Sequence, residues 1–306
     1  MIGKLKMDKE ELEDFVEDED TSIECLQVAP MGNGKVAILF LLADSDYDTT
    51  VSVIFVVDDF NPKTAKGVLF TSEWLTSLSA SPSGELFALE ATIWIWRYGG
   101  KQWTRDQVGT ESFRQVWAAD PGGAMMVGSS GGAVRLVGDD WRPITPITQA
   151  EYMDIHGDAK HGIWVCGKSG SVHKLAGSTW QPLELHRQEV FYGIDVAADG
   201  TIRVAGEDGT CLRIANEEAV ELEPADTTTH LAVRTYSGKA YWGDEGGIGV
   251  EKGNAIVPLE VETGTASDIR TDGDYLYVAG TDSAWRFDGK KWKSLSLEYD
   301  DGFKLT

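Results

Sequence analysis

Cysteine is scarce in this chain of 306 residues: Cys25, Cys166 and Cys211 lie far apart, and none belongs to a C-x-x-C pair. An odd, scattered set is no disulfide framework, and reduced thiols in a cytoplasmic protein are the simpler reading. No stretch of ~18 apolar residues occurs, so no membrane-spanning helix is expected. The opening MIGKLKMDKEELEDFVEDED lacks the apolar core and small-residue cleavage site of a secretory signal, which again points to the cytoplasm. Positive charge is short, with 27 Lys and Arg against 50 Asp and Glu and a net charge of -23. DNA, RNA and anionic membranes, which are gripped through Lys and Arg, are therefore not expected partners. After residue 21 no segment sustains a 3.6-residue period, so the body of the chain is not helical.

Glycine and tryptophan are what the chain has in quantity, with 34 and 11 copies. Aligning the glycine that follows an apolar pair gives Gly128, Gly167, Gly206, Gly243 and Gly280, spaced 37 to 39 residues apart. Downstream of the turns come Trp103, Trp141, Trp180 and Trp292, with Val220 and Ile256 at the same place in two copies. Runs such as VRLV, VHKL and CLRI alternate with the period of half-buried strands. Junctions such as DPGG, AADG, YSG and TDGD offer the positive φ of tight hairpins. Each unit reads as four short strands. One such sheet of ~40 residues cannot bury both faces alone, so copies must stack face to face, and a β-propeller results.

The expected architecture is all-β, with seven four-stranded blades over 22–306: a divergent first copy at 22–74, which has no Gly-x-x-Trp, and repeats over 75–297. Six blades with an appended hairpin is the alternative. The aligned glycine is expected to turn the chain, and each tryptophan to lie against the next blade. Residues 1–21 form a separate acidic tail or a short helix with Leu12, Phe15 and Val16 on one face.

The Gly-x-x-Trp turns over residues 75–297 resemble the Asp-box of sialidase-like propellers, and the unit is similar to bacterial BNR-like and photosystem-assembly-factor-like repeats, themselves akin to WD40 propellers. The Asp-box reads Ser-x-Asp-x-Gly-x-x-Trp. Here its Asp positions are Tyr98, Leu136, Leu175 and Phe287, and its Ser positions are Trp96, Val134, His173 and Trp285. The resemblance implies the fold and carries over no catalytic residue.

Motifs of chemistry are equally thin. Gly128-Ser129-Ser130-Gly131-Gly132 matches G-x-S-x-G by letter, but a nucleophile elbow needs a strand, a sharp turn and then a helix, and these residues join two predicted strands. Asp44, Asp46 and Asp48 have calcium-loop spacing without the glycine or the terminal glutamate. His161, Cys166 and His173 fit no zinc pattern. No cofactor or metal is implied. The arginines Arg203, Arg213, Arg234 and Arg270 that sialidase-like chemistry would need lie in separate strands.

Acid is concentrated in particular loops. In a propeller, the loops joining second to third strands share a face with those joining blades. The former carry Glu90, Glu207, Asp208, Asp244, Glu245 and Asp282 against Lys168. The latter add Glu111, Glu151, Glu189 and Asp226, interleaved with Phe113, Tyr152, Phe191, Tyr192 and His230. An acidic rim with aromatic anchors suits a cationic protein partner. The leading expectation is a non-catalytic binding propeller, concretely an immunity protein that neutralises a basic toxin or effector domain. A second expectation is a glycan or small-ligand site, or a sialidase- or lyase-like enzyme, in the central channel, where Asp154, Asp195, Asp268 and Arg270 are the polar candidates. A passive assembly scaffold is the third.

Overall fold

The structure, a computed structural model, describes residues 5–118, 123–216 and 218–306. The junction at 120–122 lies outside the described residues. Seven antiparallel sheets follow one another along the chain, each pairing its strands in sequence order. Their first strands are Ser22–Gly32, Leu75–Ala80, Phe113–Trp117, Tyr152–Asp158, Phe191–Val196, His230–Tyr236 and Asp268–Thr271. These inner strands touch one another in succession, and the seventh touches the first, so the ring is closed. The divergent N-terminal segment is a full blade, Ser22–Gly32, Lys35–Ala43, Thr50–Asp58 and Lys66–Thr71. The fold is a seven-bladed β-propeller.

No strand is exchanged at the closure, which is made by apolar packing with a backbone hydrogen bond from the Cys25 N–H of blade one to the Thr281 carbonyl of blade seven (2.9 Å). Blade seven takes all its strands from the C-terminal segment and adds a fifth, Phe303–Leu305. The helix α1 (Lys9–Glu17) starts with a capping box in which Asp8 and Glu11 satisfy each other's backbone N–H groups. Its Leu12 is buried and its Phe15 and Val16 pack beside Phe303 and Leu305 in the apolar cluster that joins blades seven and one. Lys9 pairs with Asp301 and Lys6 with Glu73 (3.1 Å), which ties the segment to both ends of that seam.

Every gap between blades holds an apolar cluster of this kind. Trp103 packs among blade-one residues and donates to the Val68 carbonyl (2.8 Å). Trp180 lies among Trp117, Met125 and Val127 of blade three, and Trp292 beside Tyr241 and Val250 of blade six. The rings therefore cover the preceding blade, not the next, because strand alternation sends these positions to the sheet face that looks back. The same position is solvent-exposed Val220 in blade five.

The aligned glycines also serve a purpose other than the expected one. None has the left-handed φ of a turn glycine. A Cβ on Gly167 would sit 2.1 Å from the Glu151 carbonyl oxygen, and one on Gly128 2.5 Å from the Phe113 Cα. The second strand ends hard against the entry of the inner strand, and only a hydrogen fits there. At that point the inner strands bulge, between Leu75 and Ser77, Tyr152 and Asp154, Phe191 and Gly193, and His230 and Ala232. The bulged residue is re-aimed toward the axis.

Candidate protein-binding face and the channel beneath it

The face on which the inner strands begin carries the loops 44–49, 72–74, 108–112, 145–151, 183–190, 207–210, 222–229, 245–247, 259–267 and 280–282. Their lysine and arginine residues are Lys168, in the companion loop 168–171, and Arg187, and Lys6 of the N-terminal segment lies on loop 72–74, where it pairs with Glu73 (3.1 Å). Loops of the opposite face mix signs, with Asp59, Asp139, Asp199 and Asp288 beside Lys63, Lys101, Lys160, Lys290 and Lys291.

The acids of the first face divide into three groups. Glu151 binds Arg114 (2.5 Å) and Lys168 (2.6 Å), which hold its carboxyl below the ordinary range against the upward push of burial. Glu189 is likewise paired with Arg187 (3.2 Å). A second group shapes loops: Glu207 accepts from the Val190 N–H (2.9 Å), Asp226 from Thr228 (2.9 Å) and Asp244 from Gly246 (2.7 Å). Glu111, Asp208, Glu245 and Asp282 are exposed and make no ion pair among the described residues. Glu90 is buried, accepting from Trp96 Nε1 (2.5 Å) and from Arg105 (2.6 and 2.8 Å), so it is a structural acid.

Phe113, Tyr152, Phe191 and His230 are buried. Tyr152 binds His173 Nδ1 (2.8 Å) and packs on Trp180, and His230 lies edge-on to Trp242. These four side chains fill the blades and present nothing to a partner. Their expected place as anchors is corrected: they precede the bulge and so keep the inward register of the blade. Tyr192, at the bulge itself, is half-buried and lines the channel mouth. The exposed aromatic pair is elsewhere. Tyr47 (38% exposed) and Trp74 (39%) stack with ring centroids 5.1 Å apart and planes at 22°. Tyr47 donates to Glu24 (2.6 Å), which pushes its hydroxyl up to about 12 and keeps it a donor. Exposed Asp46 and Asp48 flank it in the same loop, and Glu73 adjoins Trp74. The sequence signal is an aromatic beside acids in DSDYD and SEW, hidden in the copy that lacks the repeat landmarks.

Beneath this face the four channel candidates do converge, joined by Arg234 and His156. Arg234 lines both the upper chamber, of about 180 Å³, and the lower one, of about 100 Å³. Most polar side chains here hold the ring together by accepting an N–H of the next inner strand. Ser77 accepts from Val116 (3.1 Å), Asp154 from Ile194 (3.0 Å), His156 from Val196 (2.9 Å) and Asp195 from Thr235 (3.0 Å). Arg234 pairs with Asp195 (3.3 Å) and Arg270 with Asp268 (2.9 Å). His156 Nδ1 lies 3.4 Å from Asp195, yet it is engaged by the Val196 N–H and is therefore an acceptor. Burial, then Arg234 and Arg270, hold the imidazole well below its usual range, so the contact is not an ion pair. The other two arginines, Arg203 and Arg213, instead clasp Glu251 at 2.7 and 2.8 Å.

Ser129–Gly131 is a single turn between two strands, not the start of a helix. His161 bonds Asp158 (2.9 Å), Cys166 lies by the Phe191 carbonyl and His173 bonds Tyr152, so these three are not brought together. Among the described residues no group of three or more His, Cys, Asp or Glu is placed to hold a metal, and no helix is long and apolar enough to cross a membrane.

No family model matches the sequence, and no curated protein does. Solved structures do resemble it. The WD40 propeller domain of Doa1 superposes with a TM-score of 0.69 at 10% identity, covering 88% of this chain and 94% of its own. YCF48 bound to D1 peptide gives 0.61 at 14%, over 87% and 95%. Chaetomium thermophilum Sqt1 bound to the N-terminus of the ribosomal protein L10 gives 0.62 at 12%, over 92% of each chain. At these identities the likeness is one of fold.

Proposed function

We propose that the chain is a non-catalytic, protein-binding propeller whose acidic face takes a basic partner, concretely a toxin or effector domain held inactive. The observation that carries this reading is the exposed Tyr47–Trp74 stack on a face whose loop charges without an ion pair are, among the described residues, acids. Such a pair offers two flat rings at little entropic cost to a lysine or arginine side chain, with carboxylates around it to match the charge. Two of the similar structures are complexes with a peptide and with a protein N-terminus, which agrees with binding as the function.

The test is a panel of peptides graded in Lys and Arg content, read by fluorescence anisotropy at low salt and at ~0.5 M, where screening weakens exposed charge contacts. Reversal to lysine at Glu111, Asp208, Glu245 and Asp282 is compared with reversal at Asp59, Asp139, Asp199 and Asp288 of the other face. Binding that rises with peptide charge and is lost in the first variant alone supports the reading; equal behaviour of the two variants opposes it. Loss of the captured partner's own activity separates a neutralising role from a scaffold.

A further inference from the structure

The lower chamber of the channel is bordered by donors that have nothing to bind. Arg234, 3% exposed, donates through Nε to the Ile269 carbonyl (3.1 Å) and through Nη1 to Asp195 (3.3 Å). Arg270 meets Asp268 through Nε alone (2.9 Å). His156 Nδ1 accepts the Val196 N–H, so the proton of this neutral ring sits on Nε2. Arg234 Nη2, both Nη atoms of Arg270 and His156 Nε2 have no hydrogen-bond partner among the described residues, yet none is sealed from solvent. All three residues stand on inner strands, so these atoms reach solvent through the channel. Arg270 and His156 border the lower chamber, and Arg234 borders both chambers. Burial holds the Arg234 guanidinium below its ordinary range, and Arg270 adds to this against the pull of Asp195, so the two cations repel each other.

This chamber of about 100 Å³ lies where the inner strands end, at Ala80 and Thr271, toward the face opposite the acidic loops. Among the described residues no carboxylate lines it; Asp154 and Asp268 line the upper chamber instead. Leu78, Ala80 and Trp117 give it an apolar wall. We infer that the lower chamber is a binding site for one short-chain carboxylate, its head held by Arg270 and His156 beside Arg234 and its tail against Leu78, Ala80 and Trp117. Such a ligand supplies acceptors to donors that otherwise lack them, and it sets a negative charge next to two guanidiniums that repel each other. A single charge suits the site, because Asp154 is near enough for both arginines to attract it and would repel a dianion more strongly.

The experiment uses the whole chain at low salt and about pH 8, where free carboxylates are ionised, with propionate and butyrate as ligands and sulfate and propylammonium as controls, followed by calorimetry and thermal shift. The expected result is saturable one-to-one binding of the two carboxylates with a raised thermal midpoint, weaker binding of sulfate and none of propylammonium. Arg270→Lys keeps a cation beside Asp268 and removes the guanidinium fork, and carboxylate binding is expected to fall at least ~10-fold. Asp154→Asn (D154N) keeps an oxygen for the Ile194 N–H, removes a neighbouring negative charge and is expected to bind carboxylates several-fold more tightly. This second variant gains affinity, so it decides the matter even where Arg270→Lys fails to fold. Absence of saturable carboxylate binding by the parent protein, equal or tighter binding of sulfate or propylammonium, undiminished binding by folded Arg270→Lys, or binding by D154N that is not tighter overturns the proposal. The acidic-face reading is left intact by that outcome, since it is tested by the rim variants and the cationic peptides.

Discussion

Tyr47 and Trp74 stack across two loops, one from within blade one and one leaving it, and each remains more than a third exposed. Among the described residues these are the two Phe, Tyr or Trp rings that are exposed; the others are buried or half-buried. Trp74→Ala is expected to weaken the tightest cationic binder by ~30-fold or more, as hot-spot aromatics do, with a loss of stability of about 1–2 kcal/mol because Trp74, 39% exposed, still buries much of its surface. Titrations and urea denaturation of the same samples check both halves.

One repeat position gives opposite outcomes in two blades. Trp180 is 3% exposed against blade three, and Val220 is 41% exposed. Trp180→Ala opens a cavity between blades and is expected to cost about 3–5 kcal/mol. Val220→Ala is expected to stay within about 0.5 kcal/mol. Chemical denaturation midpoints distinguish them.

Much of the ring was legible in the sequence because the glycine and tryptophan spacing reports one strand-turn unit per period. What the spacing could not reveal was why each residue is required. Gly167 reads as a turn former and is in fact the site where a Cβ would meet a carbonyl oxygen. Tyr152 and Phe191 read as surface anchors when assigned to the loops between blades, whereas they open the inner strands just before the bulge and are buried. Asp154 and Asp268 were legible as channel candidates, but their inequality was not. Asp268 is paired with Arg270 of its own strand, whereas Asp154 accepts the Ile194 N–H of the next blade and forms no ion pair with an arginine.

Glycine substitutions follow from the same geometry. Gly167→Ala forces the backbone of the blade-four entry aside and is expected to destabilise the protein strongly, with a lowered thermal midpoint. Gly99→Ala meets no atom within 4 Å and has no positive φ. It is expected to be neutral or to stabilise by up to ~1 kcal/mol through the unfolded chain. Thermal unfolding of the two variants decides the sign.

Two buried histidines and one half-buried one, His156, set an acid sensitivity. Burial holds His156, His173 and His230 below the usual value of 6.5. The unfolded chain therefore binds more protons than the folded one just below pH 6.5, and stability rises with pH in that window. The stabilisation is complete above about pH 6.5 and is lost as pH falls toward the folded-state values, by at most ~1.4 kcal/mol per pH unit for each histidine. Asp154, pushed up by burial, acts with the opposite sign, so D154N is the cleaner background. His156→Asn keeps an acceptor for the Val196 N–H and is expected to reduce the slope of urea stability between pH 7 and pH 5.5. An unchanged slope would place the proton uptake elsewhere.

The most direct measurement is hydrogen–deuterium exchange of the whole chain with and without its tightest cationic binder. Slowed exchange confined to loops 44–49, 72–74, 207–210, 245–247 and 280–282 is the predicted result. Protection at 59–65, 99–102, 253–254 and 288–291, on the other side of the ring, would contradict an acidic binding face.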